Sequence, residues 1–278
     1  MKWQGRTRST NVEDRRGMGG KGIAGIGGGL GLIIALIFAF VSGDPGVILD
    51  QVSSNQASVP AQTTAMEDEA KEFVSVVLAD TERIWSQIFE ENGMEYVEPT
   101  LVLYSGSVQS ACGAAGASVG PFYCPADYKL YIDLSFYEEL STKYNAPGDF
   151  AMAYVVAHEV GHHVQTLLGT TDKVMPLRQR LSEEEFNKYL VRFELQADYF
   201  SGVWAHHADG LGYLEDGDIE EALAAASAVG DDTLQKRAQG YVVEESFTHG
   251  TSEQRMTWFR KGYETGTIQG GDTFNSRP

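Results

Sequence analysis

Histidine is missing from the first 157 residues, and cysteine occurs only twice in 278. The first absence confines any imidazole chemistry to His158, His162, His163, His206, His207 and His249. The second excludes a four-cysteine zinc site and a disulfide-rich scaffold. Positive charge is also scarce, for the formal net charge is −18. It is uneven as well. Residues 1–22 hold six Lys/Arg against two acids, which leaves fifteen basic and thirty-seven acidic residues in the rest. An acidic body repels nucleic acid, and no basic groove or base-stacking signature offsets it, so nucleic-acid binding is excluded. No internal repeat is visible. With 42% apolar and 11% aromatic residues the chain suits one globular domain with accessory segments.

Charge of either sign is absent from residues 22–43, "GIAGIGGGLGLIIALIFAFVSG". About 20 such residues span a hydrocarbon core at ~1.5 Å each. Its glycine-rich first half would be a poor soluble helix, but glycine is tolerated in a bilayer. The cationic stretch before it and the acidic chain after it predict a single-pass anchor, N-terminus in the cytoplasm and body outside. A cleaved signal peptide is the alternative, because "FAFVSGD" ends in small residues. A buried core helix would not need the charge asymmetry. The expected organisation is a basic cytoplasmic segment (1–22), a transmembrane helix (23–42), a flexible polar linker (43–66), a domain (67–270) and a tail (271–278).

The two cysteines, Cys112 and Cys124, lie within "ACGAAGASVGPFYC". Outside the cytoplasm they are expected to form a disulfide across a short glycine-rich loop; two buried thiols are the alternative. Periodicity places an amphipathic helix over 67–92, stopped by Gly93, and strands over 100–105 and 129–134. Helices follow over 135–144, over 148–169 with Asp149 as cap, and from the Ser182–Glu185 capping box to about Ala208. Three more, near 219–229, 233–240 and 252–265, complete a mostly helical α+β domain with a small sheet.

Mid-helix stands "AHEVGHH". His158 and His162, four residues apart, share one helix face, as a metal ligand pair must, and Glu159 can then serve as base toward a water. Zinc wants a third protein ligand. Glu194 and Asp198, at i and i+4 in "RFELQADYF", offer two carboxylates: one can reach the metal, the other hold a ligand histidine from behind. His163 points ~100° away from His162 and cannot share the ion; it should be packed or hydrogen-bonded. His206 and His207 lie roughly 18 Å beyond Glu194 along the same helix and should be structural or exposed.

The pattern His158-Glu159-x-x-His162 followed by Glu194-x-x-x-Asp198 resembles the glutamate-zincin metallopeptidases. The uncharged run, "HEVGHHVQ", "ELQADYFSGVWAH" and "SFTHGTSEQRMTWFRKGYETG" together resemble the bacterial neutral zinc metallopeptidase family over nearly the whole chain. The resemblance implies a zincin-like domain holding one Zn2+ per chain on His158, His162 and Glu194. Glu159 would be the general base, with Asp198 supporting a ligand histidine. It also implies that His249 faces the oxyanion, although Gly250 stands where that histidine is usually followed by proline. Arg255 would orient His249 or pair with an acid. The expected activity is hydrolysis of peptide or protein substrates at the bacterial cytoplasmic membrane. A zincin-fold binding protein with lapsed activity and a zinc hydrolase of another bond are the competing readings. An edge strand that pairs with extended peptide is expected at 129–134, ahead of the metal helix.

Overall fold

The computed structural model describes residues 1–17 and 65–275. Strand β1 (Val12–Asp14) precedes helix α1 (Ala65–Glu91). Strands β2 (Thr100–Tyr104), β3 (Ser107–Ser110), β4 (Gly113–Gly116), β5 (Phe122–Cys124) and β6 (Lys129–Asp133) follow. The rest is helical: α2 (Ser135–Thr142), α3 (Asp149–Leu167), α4 (Thr170–Val174), α5 (Glu183–Gly210), α6 (Asp218–Ala228), α7 (Asp231–Gln239) and α8 (Ser252–Thr265). The domain is mostly helical α+β with small sheets. Among the described residues no helix is long and apolar enough to cross a membrane. The predicted anchor at 23–42 and nearly all of the linker lie outside the described residues.

Local chemistry explains the helix limits. In α1 the apolar residues Phe73, Val77, Ile84, Trp85, Ile88 and Phe89 are all buried, and Gly93 ends the helix region with φ +70°. The Ser182 hydroxyl and Glu185 carboxylate cap α5 reciprocally, and Thr251 with Gln254 does the same for α8. Asp149 is not the cap of α3 but its first residue. Its carboxylate meets the Met1 amino group at 2.6 Å, while Glu221 accepts the free Phe150 N–H at 3.0 Å from another helix.

The main sheet runs β1-β2-β6-β5, with β1, β2 and β6 parallel and β5 antiparallel to β6. This corrects the expected edge. The strand at 129–134 is interior, hydrogen-bonded on both sides; the edges are β1 and β5, and β5 packs beside α3. The short run "FYC" carried no alternation long enough to announce a strand. The Cys112–Cys124 disulfide ties the β3–β4 hairpin region to β5.

Residues 1–17 belong to the folded body, contrary to their expected separation from it. Val12, Glu13 and Asp14 pair in register with Leu101, Val102 and Leu103. The Trp3 ring meets Phe73 edge-on at 5.6 Å between centroids, and Arg6 stacks 3.2 Å from the Tyr213 ring centre while pairing with Asp80. Of the basic residues that suggested a cytoplasmic tail, Arg6, Arg8, Arg15 and Arg16 are paired with acids of the body and of their own strand, and Lys2 donates to the Gly212 carbonyl. At the other end Thr273 is buried and donates to the Arg192 carbonyl at 2.6 Å, so the body extends past the expected boundary at 270.

Helices α5 and α8 touch backbone to backbone. A Cβ on Gly202 would lie 2.0 Å from the Phe259 carbonyl oxygen, and one on Gly262 would lie 1.9 Å from that of Tyr199. This contact sets how deeply α8 reaches toward α3. Gly202→Ala should therefore cost roughly 3 kcal/mol or more, as overpacking against rigid backbone does. Urea unfolding of the variant checks it; an unchanged midpoint would mean that the helices are free to separate.

Candidate metal centre

Helix α3 is almost wholly buried, and a glycine one residue before His162 lets α5 cross it closely. A Cβ on Gly161 would sit 2.8 Å from the Ala197 carbonyl oxygen. That crossing brings Glu194 over the histidine pair. Its Oε2 lies 3.2 Å from His158 Nε2 and 3.5 Å from His162 Nε2. One donor atom from each of the three residues falls within 4.8 Å of the others.

The far side of each imidazole is held. His158 Nδ1 donates to Asp198 Oδ1 at 2.9 Å, and His162 Nδ1 to Gln165 Oε1 at 2.8 Å. With Nδ1 carrying the proton, each Nε2 presents its lone pair toward Glu194. Gln165 is fixed in turn by donating to the Phe193 carbonyl at 2.6 Å and to Gln196 Oε1 at 3.1 Å. The His162 ring lies nearly parallel to Phe193, 5.1 Å away. Two imidazoles and one carboxylate, largely enclosed and pre-oriented, are the donor set of a hydrolytic zinc site with a position left for water. The residues fit the metal.

Asp198 is fully buried, and Arg255 answers its charge. The guanidinium donates Nε to Oδ2 at 2.8 Å and Nη2 to Oδ1 at 3.0 Å, and Tyr154 adds its hydroxyl to Oδ1 at 2.5 Å. Burial alone would raise this carboxyl, but Arg255 and then His158 bring it down to about 2. Arg255 thus pairs with an acid, one of its two expected roles, and does not orient His249.

His249 lines the same cavity as Glu159, His158 and Glu194. Its orienter is Asp231, whose Oδ1 lies 3.2 Å from His249 Nδ1 and whose Oδ2 accepts the backbone N–H groups of Thr248, His249 and Gly250. Gly250 adopts φ +94°, a conformation closed to the proline otherwise expected there. Burial works against a charged His249, but Asp231 and then Glu194 outweigh it and raise its pKa. Burial also pushes the Glu159 carboxyl up, against the pull of His162 and His158.

The other histidines do as their spacing required. Buried His163 bonds the Tyr123 hydroxyl and donates to the Val97 carbonyl, and burial drives its pKa down to about 4. His206 and His207 donate to the carbonyls of Tyr263 and Gly266. The sequence reading missed Tyr154, Gln165 and Asp231. Tyr154 precedes His158 by one helical turn, which was a usable signal; nothing local marks Asp231.

Comparison with known proteins agrees with this geometry. A family model described as "Putative neutral zinc metallopeptidase" matches residues 1–274. The chain belongs to that zinc metallopeptidase family. It is 50% identical over 283 aligned positions to the uncharacterized protein YpfJ of Escherichia coli K12, covering 99% of each chain. It is 45% identical over 192 positions to the uncharacterized protein Rv2575 of Mycobacterium tuberculosis H37Rv, covering 65% of this chain and 64% of that one. No solved structure matches.

Two substitutions separate metal orientation from folding. Gln165→Ala should weaken zinc affinity about 10–100-fold, the usual effect of removing a ligand's partner. Asp198→Ala should also loosen His158 and weaken zinc, but in addition cost about 3–5 kcal/mol of stability, because Arg255 is left charged and buried. Zinc titration and denaturant unfolding read the two; equal stability losses would contradict the division.

Proposed function

We propose that the protein is a zinc-dependent endopeptidase that acts on extended segments bearing bulky apolar side chains. The observation that carries this reading is the three-donor set of His158, His162 and Glu194, with Glu159 and His249 on the same cavity wall. One zinc per chain is the stoichiometry that set implies. The cavity has a volume of about 340 Å³, and Phe136, Tyr144, Val155, Leu190, Phe193 and Leu234 supply an apolar lining. An apolar peptide side chain gains ~25 cal/mol per Å² on leaving water for such walls. Strand β5, the sheet edge that also lines the cavity, offers backbone groups to a peptide laid alongside it.

Zinc, when bound, supplies a Lewis acid that lowers the pKa of water to about 7 and polarises a carbonyl. The chain's own groups do the rest. Glu159 accepts a proton from the attacking water, as its oxygen bonds to the scissile carbon. The carbonyl oxygen gains charge facing His249, which Asp231 holds in place as a donor. The C–N bond then breaks, and Glu159 returns its proton to the departing amine. The Cys112–Cys124 disulfide supports a place outside the cytoplasm, and the uncharged run supports attachment to a membrane.

Unfolded protein substrates, with and without chelator, test the reading. Glu159→Gln should keep zinc and the fold yet lose nearly all hydrolysis, since an amide cannot accept the proton. His249→Ala should lower turnover about 10²–10³-fold. Equal activity in wild type and Glu159→Gln would refute the mechanism.

A further inference from the structure

The described residues break off at Gly17 and resume at Ala65, and the two places adjoin. Arg16 Nη1 donates to the Glu67 carbonyl at 3.0 Å, and its Nη2 meets Asp68 Oδ1 at 3.0 Å. Lys71 reaches back to Asp14 at 2.9 Å. Upstream of that junction, β1 is not a loose appendage. The Leu101 N–H donates to the Asn11 carbonyl at 2.8 Å, and the Arg15 N–H to the Leu103 carbonyl at 2.8 Å. Asn11 and Ser9 both hydrogen-bond Glu82, and Arg6 covers Asp80, whose side chain is 7% exposed.

A single crossing by residues 22–43 would put these two flanks on opposite faces of a membrane. The hydrocarbon core alone is ~30 Å thick, whereas a strand ladder needs donors and acceptors at about 2.9 Å. Both cannot hold in one molecule. Releasing β1 would strip the backbone partners from Leu101 and Leu103, which are fully buried, and leave Asp80 buried without Arg6. Such losses cost several kcal/mol together. Keeping both flanks on one side preserves every one of these bonds.

We infer that β1 and the metal-binding body lie on the same side of the membrane, so that no single crossing separates them. Lys2, Arg6, Arg8, Arg15 and Arg16 are then no cytoplasmic anchor. Arg6, Arg8, Arg15 and Arg16 instead have carboxylate partners within the folded body. The inference stands whether or not the site cleaves peptides.

Single reporter cysteines in the full-length chain test it, since the native cysteines are joined and do not react. Arg8→Cys reports on the N-terminal segment, with Thr7→Cys as a second reporter there; Lys188→Cys reports on the body. All three positions are exposed. A membrane-impermeant maleimide is applied to spheroplasts and to inverted membrane vesicles without reductant. The expected result is that the N-terminal and body reporters label in the same preparation and are protected together in the other. Labelling in opposite preparations would overturn the inference, and so would recovery of the protein wholly in the soluble fraction. Labelling of both from the cytoplasmic face would uphold the shared side and overturn only the compartment proposed above.

Discussion

Asp198 is a carboxylate with no access to water, and four hydrogen bonds from three side chains converge on it: His158, Tyr154 and twice Arg255. Removing a charge from solvent costs several kcal/mol unless it is met in this way. Its partners come from α3 and α8, while Asp198 itself sits on α5. One ionised group therefore fixes the tautomer of His158, the depth of Arg255 and the spacing of three helices. The metal ligands are legible as a site only because this arrangement turns the free nitrogens inward.

Close backbone contact is the second condition. Glycine at 161 brings α5 over α3, and glycines at 202 and 262 bring α8 against α5. A side chain at any of these positions would widen the gap by more than a hydrogen bond tolerates. The polar network is thus held at its length by the absence of atoms as much as by the charges themselves. Gly266 follows the same rule at the end of α8, where its backbone turns at φ +62° against His206.

Much of the fold could be read from the sequence, because long helices advertise themselves. The apolar stripe of α1 and the capping box of α5 gave their limits to within two residues. The ligand pair was readable from spacing, and the resemblance to a known family added the third ligand and its supporting aspartate. The strands at 12–14 and 122–124 were not readable, since three residues carry no period and their pairing partners lie far along the chain. Asp231 escaped for a related reason: it reaches His249 across eighteen residues, and only the folded turn brings them together. Charge misled most. A cluster of arginines looks the same in sequence whether it faces lipid headgroups or is paired with acids of its own domain.

The connection from Tyr154 to Arg255 joins residues 101 positions apart, and its far end lies near the end of the described chain. During synthesis the three ligands and Glu159 are complete once Glu194 has emerged, yet Asp198 still lacks its cation. Until α8 arrives, a charged aspartate would have to stay wet, and α5 could not settle fully on α3. Order of manufacture thereby delays the finished site until Arg255 has been made. An unfinished chain holds the three donor residues without the buried ion pair that orients His158.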